Sequence, residues 1–275
     1  MKNLSMPQRP PMPTSQDEKR VIHSSLRKRL IMGTWGNDLE NTLYDHISAD
    51  RREAWGPSDM SSNPFEQITR QLAVLYDQAP FISNSTGDIT GLIGRNGYIL
   101  RAGLFQLMQR AQQYILGMRE AVLRIDIVYE NEKKSSFHNE LCYRLVTSDM
   151  VYCESSPDIP DRPLLYVEHR LRYDEFTKKL VWTADLLDIR DTENPKYGVF
   201  LLESNGELGR DVSKQYLGRP IMIGDDYPFR DKDNNPFLPL VLYHAEKTGQ
   251  LWDPYFQIST VEGTLLSAVY FTMYS

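Results

Sequence analysis

The sequence predicts an α+β fold, with helices first, a run of short strands after them, and a helix at the end. Three observations carry this. Apolar residues up to Gly117 recur at helical spacing, and from Leu123 the apolar period switches to two. Helices and strands are also segregated along the chain, not alternating, which argues against a parallel βα architecture. At 275 residues the chain can bury one large core or two modest ones.

Residues 1–15 carry Pro7, Pro10, Pro11 and Pro13 and little to bury, which predicts a disordered arm. From Asp17 a helix begins, with Val21, Ile22, Leu26 and Leu30 spaced for one face. It carries Arg27, Lys28 and Arg29, which read either as a solvated helix face or as a contact for a phosphate or another anionic partner. A second helix follows Asn37, with Leu39, Leu43 and Ile47 on one side, and ends before Gly56-Pro57. Residues 16–62 form this N-terminal helical segment. In "PFEQITRQLAVLYDQAP", Pro64 suits a first helical turn, Ile68, Leu72 and Leu75 repeat at helical spacing, and Pro80 ends the helix. The glycines of 87–103 follow no GK[ST] pattern, so a phosphate loop is not expected there. A long helix runs from about Ala102 to Leu116 with Leu104, Leu107, Met108, Ala111 and Ile115 inward, and Gly117 is its expected stop.

Beyond it Leu123, Ile125, Ile127 and Tyr129 alternate with Arg124, Asp126 and Val128, as in a strand. Further strands are expected at 140–146, 150–154, 164–173, 179–187, 198–203, 220–223 and 237–243. Asn205-Gly206 signals a tight turn, and Pro157, Pro160, Pro163 and the polar tract 225–235 mark loops. The stretch "FLPLVLYHAEKTGQLWDPYF" runs from an apolar strand through a polar loop into a Trp252-Asp253-Pro254 corner. Ser259 and Glu262 have the spacing of a capping box, which starts a helix over 259–275. Val261, Leu265, Ala268 or Val269, and Thr272 or Met273 run down one of its faces.

Hydrophobic residues make up 41% and charged residues 25%, which is ordinary for a soluble globular protein. No apolar run reaches the roughly 18 residues a membrane helix needs, and the N-terminus lacks the apolar core of a secretory signal. No membrane association is expected, and the chain is expected in the cytosol. A net charge of −6 argues against tight, general grip on nucleic acid. Cys142 and Cys153 have no ligand spacing and read as reduced thiols on or near strands. His23, His46, His138, His169 and His244 are scattered, without an HExxH or other close ligand pair. "DKDNNP" at 231–236 starts like a calcium loop, but Pro236 stands where its glycine is needed, so it reads as a turn. There is no GxSxG elbow. Asp185, Asp188, Asp191 and Glu193 could serve a two-metal nuclease, although they read better as a strand end and its exposed turn. No catalytic, metal or cofactor-binding residue is therefore predicted, and no cofactor or enzymatic activity.

An ordered series of features resembles the portal (head–tail connector) proteins of tailed bacteriophages. It comprises basic N-terminal helices with Trp35 and Trp55, the helix "FEQITRQLAVLYDQAP", and the long helix to Gly117 leading into "AVLRIDIVY". A β-rich middle follows, then "LPLVLYHAEKTGQLWDPYFQISTVEGTLLSAVYF", similar to the portal strand, loop and corner before a stem helix. The resemblance spans roughly residues 20 to 275. It implies a portal-like fold with a mixed α/β wing over 63–258 and the start of a stem helix at 259–275, the clip and returning stem lying outside this sequence. It implies a homo-oligomeric ring, typically a dodecamer, at one capsid vertex, in the virion and, during assembly, in the host cytoplasm. Its partners would be the terminase motor, the major capsid protein, a head–tail adaptor, and double-stranded DNA passing through without sequence-specific binding. Trp252, Asp253, Tyr255, Leu265, Val269 and Met273 would then pack subunits together or line the channel. A tail or baseplate subunit is the alternative, with a metal-dependent nuclease behind it.

Pro254 biases Asp253 away from helical geometry, so the chain must turn before the last helix, and Trp252 is large enough to anchor that turn. Trp252→Ala is expected to cost about 3 kcal/mol, read as a drop in thermal stability or as lost assembly. Both unchanged would remove that role.

Overall fold

The computed structural model describes residues 7–13, 15–38, 41, 64–73, 103–128, 140–159 and 162–244. Helices α1 (Ser15–Ile31), α2 (Pro64–Leu72) and α3 (Gly103–Met118) lead into strands β1 (Glu120–Val128), β2 (Glu140–Thr147), β3 (Val151–Ser155), β4 (Pro163–Asp174), β5 (Lys179–Asp188), β6 (Lys196–Leu202) and β7 (Leu208–Asp211). The short helix α4 (Ser213–Leu217) and strands β8 (Met222–Ile223) and β9 (Leu240–His244) follow. The fold is α+β with antiparallel sheets, as the segregated pattern predicts. The predicted second helix beyond Asn37, the glycine segment up to 102 and the 259–275 helix lie outside the described residues, apart from Asn37, Asp38 and Asn41. None of the described helices is long and apolar enough to cross a membrane.

Two sheets face each other. The smaller has the order β2-β1-β9; the larger has β3-β4-β5-β6-β7, with β8 also on β6. Alternation sorts the side chains of β1 to opposite faces. Ala121 packs with Ile31 of α1 and with Tyr114 and Met118 of α3, forming the helix side of the smaller sheet. Val122 packs with Val146, Val151, Tyr166 and Leu187 in the core between the sheets. Tyr227 and Phe229 close the end of that core with edge contacts among Tyr197, Tyr227 and Phe229 rings. They lie in the polar tract read as a loop, whose aromatic residues are its buried part.

Several local expectations shift. Gly117 does not stop α3; it is buried inside the helix, and the chain reverses at Arg119, whose φ of 70° is left-handed. In α1 the buried stripe is Arg20, Val21, Ser24, Arg27, Leu30 and Ile31, while Ile22 is 56% exposed. The reason is what α1 rests on: Arg20 donates to the carbonyl oxygens of Ser148 (2.8 Å) and Val151 (2.7 Å) in the short 3-10 turn Ser148–Met150 and at the start of β3. In α2 Thr69 is buried, as is Ala73 just past its end, while Leu72 is exposed. The 237–243 strand begins only at Leu240, because Pro239, lacking an N–H, gives its carbonyl to Ile125 N (2.8 Å). The Asp231 carboxylate organises "DKDNNP" as a turn, accepting from the Asp233 and Asn235 amides at 2.8 Å each.

The disordered arm expected for 1–15 does not hold over Pro7–Pro13, which lies against the outer face of the larger sheet. Trp182 Nε1 donates to Pro7 O (3.0 Å), Arg9 Nη1 donates to Asp149 O (3.0 Å), and Pro10 and Met12 are buried. Prolines lose little backbone freedom on ordering, so few contacts suffice to hold the segment.

Leu187, fully buried at the centre of the inter-sheet core, is expected to cost about 2–5 kcal/mol when changed to alanine. Phe176→Ala, at the 84% exposed tip of the β4–β5 hairpin, is expected to change stability by less than about 0.5 kcal/mol. Urea unfolding of both variants checks the pair.

Candidate functional site

Even-numbered residues of β1 and β4, and odd-numbered residues of β5, point between the sheets, and several of them are charged. On the smaller sheet Arg124 of β1 stands directly across from Arg144 of β2. On the larger sheet Glu168 of β4 stands directly across from Asp185 of β5. Like charges opposite each other within a sheet are unfavourable; here each pair meets the pair on the other sheet and further counter-charges on its own. Arg124 Nη1 lies 3.0 Å from Glu168 Oε2 and 3.3 Å from Asp185 Oδ2. Arg144 pairs with Glu168 through Nη1 and reaches Asp126 at 3.0 Å through Nη2. Arg124 Nε contacts Asp126 Oδ1 at 2.7 Å. From β4 itself, Arg172 donates to both oxygens of Asp185 and Arg170 Nη1 lies 3.3 Å from Oδ2.

Aromatic rings close the cluster. The Arg124 guanidinium carbon lies 5.5 Å from the Tyr166 ring centroid and 5.9 Å from that of Tyr197. Tyr166 Oη donates to Glu168 Oε2 at 2.9 Å. Burial pushes both phenols up, Tyr197 to about 12 and Tyr166 well above the ordinary tyrosine value. Burial would raise Asp185 too, but Arg124, Arg172 and Arg170 outweigh it and hold the carboxyl well below the usual carboxylate range. Burial disfavours the charged form of Arg124, yet Asp185, Glu168 and Asp126 keep its guanidinium firmly protonated. At neutral pH this interior is a fixed ionic lattice.

The other acids singled out in the sequence separate from Asp185. Asp188 pairs with Arg190 at 2.7 Å, and Asp191 accepts from the amides of Glu193 and Asn194 in an exposed turn. Among the described residues no group of three or more His, Cys, Asp or Glu side chains is placed to hold a metal ion. Cys153 lies on β3 and Cys142 on β2.

The basic triplet of α1 is not a uniformly solvated face, although the Arg29 side chain is 42% exposed. Arg27 is buried, and burial and then repulsion from Arg119 lower its pKa to about 10, against the pull of Glu120. Lys28 Nζ donates to Thr147 Oγ1 (2.8 Å) and pairs with Asp149 (3.2 Å). Arg29 makes two parallel bonds of 2.7 Å to Asp38. All three tie α1 to its own chain. Trp252, Asp253, Tyr255, Leu265, Val269 and Met273 lie outside the described residues.

Sequence reading found the β1 alternation and Asp185 but missed the lattice. Its signal was available: Arg124 and Asp126 in a strand that follows a core helix, and "EHRLRYD" with its charges on one face.

A scan against models of protein families finds no match, and a search of curated proteins finds none.

Arg124→Met would leave Glu168 and Asp185 buried with fewer counter-charges and is expected to destabilise the fold by about 3–5 kcal/mol. Because the folded-state pKa of Asp185 is depressed, its stabilising contribution is complete above the ordinary carboxylate value near 4. It is lost as pH falls below that value toward the lowered one. Asp185→Asn is expected to be less stable at neutral pH and to show a shallower decline in unfolding free energy below pH ~4. An equally steep acid limb in the variant would assign that decline to other groups.

Proposed function

We propose that this chain is a structural ring subunit of the portal kind, a conduit for DNA packaging and ejection that docks a terminase motor, the capsid protein and a head–tail adaptor. One observation carries the reading. Two of the segments that resemble portal proteins, "AVLRIDIVY" and the one that opens "LPLVLYH", meet as hydrogen-bonded neighbours through β1 and β9, antiparallel from Glu120↔His244 to Arg124↔Leu240. The long helix α3 feeds directly into this pair and packs on it. Further support comes from Asp185, whose oxygens are engaged by arginines as a scaffold role asks of them. The acidic balance of the chain, −6, suits a conduit that must let phosphates slide past.

Size-exclusion chromatography with light scattering tests it. A ring of about a dozen copies is expected, since head-to-tail contacts close into rings. A trimer or hexamer would favour a tail or baseplate part, and a monomer that cleaves DNA with divalent metal would favour the nuclease. Incubation with DNA, nucleotides and divalent metals is expected to give no turnover. Cleavage that disappeared in Asp185→Ala or Asp188→Ala would overturn the reading.

A further inference from the structure

The outer face of the larger sheet holds a group that the ionic lattice does not use. His169 lies on β4 with its side chain on the opposite face from Glu168, across from Ala184 of β5 and in the same row as Leu165 and Val167. It is 1% exposed, and among the described residues its Nδ1 has no hydrogen-bond partner. Over this face runs Pro7–Pro13, held by the Trp182 bond to Pro7, by Arg9, and by the Met12 amide bonded to Glu18 (2.8 Å). Arg9 is fixed from two sides, donating to Asp149 O and pairing with Glu18 at 2.8 Å. At Gly206 the strap comes close enough that a Cβ would sit 2.5 Å from Pro11 O, so the β6–β7 turn, already left-handed at φ 86°, also makes room for it.

The charged groups around His169 can be named element by element. The strap contributes Arg9 and α1 contributes Glu18, which pairs with Arg9. The 3-10 turn contributes Asp149, whose carboxylate is held by Lys28 of α1. Glu168 and Arg170 of β4 and Asp185 of β5 belong to the inner face. Arg20 of α1 is spent on the carbonyls of Ser148 and Val151, and Arg9, on the strap that crosses this face, is the cation whose charge opposes a proton on His169.

We propose that Pro7–Pro13 is a releasable strap, and that protonation of His169 beneath Arg9 lifts it from the outer face of the larger sheet. A proton on His169 would be buried, would face a guanidinium, and would lack an acceptor; removing the strap restores water and separates the two cations. The sheet keeps its ladders and its ionic lattice, so the strap is the part that yields. Burial, and then Arg9, lower the covered histidine's pKa to about 4 from its ordinary value near 6.5. The uncovered form therefore binds protons first as pH falls. Between about pH 6.5 and 4 the ratio of released to bound strap is expected to rise by up to about tenfold per pH unit. The device stands apart from the ring reading and holds whether or not that reading does.

The test uses the full chain with Cys142→Ala, Cys153→Ala and Gln8→Cys, labelled at residue 8 with a bimane that tryptophan quenches on contact. With Trp182 bonded to the adjacent Pro7, the dye is expected to be quenched near pH 7.5. It should brighten reversibly from pH 6.5 to 4, while far-UV circular dichroism is unchanged. His169→Gln and His169→Asn, which cannot take up the proton, are expected to stay quenched through that range. Glu18→Gln is expected to weaken the strap but to keep the histidine-dependent rise. The proposal is overturned if wild type stays dark to pH 4, or if both His169 variants brighten as wild type does. It is overturned too if the transition vanishes in Glu18→Gln instead, or if brightening coincides with loss of secondary structure.

Discussion

Each sheet carries a like-charged pair at its centre, and the two pairs are opposite in sign. Arg124 and Arg144 cannot comfortably share a sheet face alone, nor can Glu168 and Asp185. Face-to-face stacking sets the two pairs against each other, with Asp126 on the smaller sheet and Arg170 and Arg172 on the larger one adding counter-charge from within each sheet. That constraint fixes which strand positions meet across the gap, because a one-residue slip of β1 would turn Arg124 outward and bring Leu123 or Ile125 against the acids. Net stabilisation from such a lattice is modest compared with apolar packing of the same volume. Its larger effect here is on register and sheet-to-sheet alignment, while Val122, Val146, Tyr166 and Leu187 supply the apolar burial beside it.

The helix layer uses the same chemistry one step outward. Arg20 satisfies the carbonyls of Ser148 and Val151, Ser148 Oγ donates to Ser24 Oγ at 2.9 Å, and Lys28 takes Asp149 and Thr147. The short turn between β2 and β3 is thus docked on α1 through polar groups. Burying its backbone carbonyls without enough donors would be costly, and Arg20 supplies donors to two of the carbonyls there. This is why the buried stripe of α1 is half polar and why Ile22 is left outside. An apolar helix face could cover the turn but could not satisfy it.

What the sequence made legible follows from this. Strands over 164–173 and 179–187 read correctly because each is a short run rich in apolar, aromatic and β-branched residues bounded by turn signals, and their hairpin ladder runs from Leu165↔Asp188 to Asp174↔Lys179. β7 went unread because Leu208–Asp211 has no apolar alternation; it exists by pairing with β6 beyond the Asn205-Gly206 turn. The Pro7–Pro13 strap escaped because proline content signals lack of regular structure, not lack of contacts. Arg27 was misread because charge in a helix is ordinarily solvated, and nothing local announces that Glu120 and Arg119 wait beneath it. The lattice lay in plain view as alternating charges, but an inward reading of a charged strand face requires knowing that a second sheet covers it.

The same lattice bears on the choice between a scaffold and a metal-dependent nuclease. A two-metal site needs carboxylate oxygens with open lone pairs, converging where water and substrate can reach. Asp185 meets neither need: Arg172 donates to both of its oxygens, Arg124 and Arg170 crowd one of them, and the residue is 2% exposed. Glu168, equally buried, is divided between Arg124, Arg144 and the Tyr166 hydroxyl. A cation entering here would have to expel guanidinium groups into a low-dielectric gap between two sheets, stranding buried charge at a cost of about 3–5 kcal/mol for each broken pair. Arginines occupy the position that metal ions would take in the rival chemistry. Arg124 and Arg144 reach across from the smaller sheet and so hold the sheets together, while Arg170 and Arg172 come from β4 of the larger one.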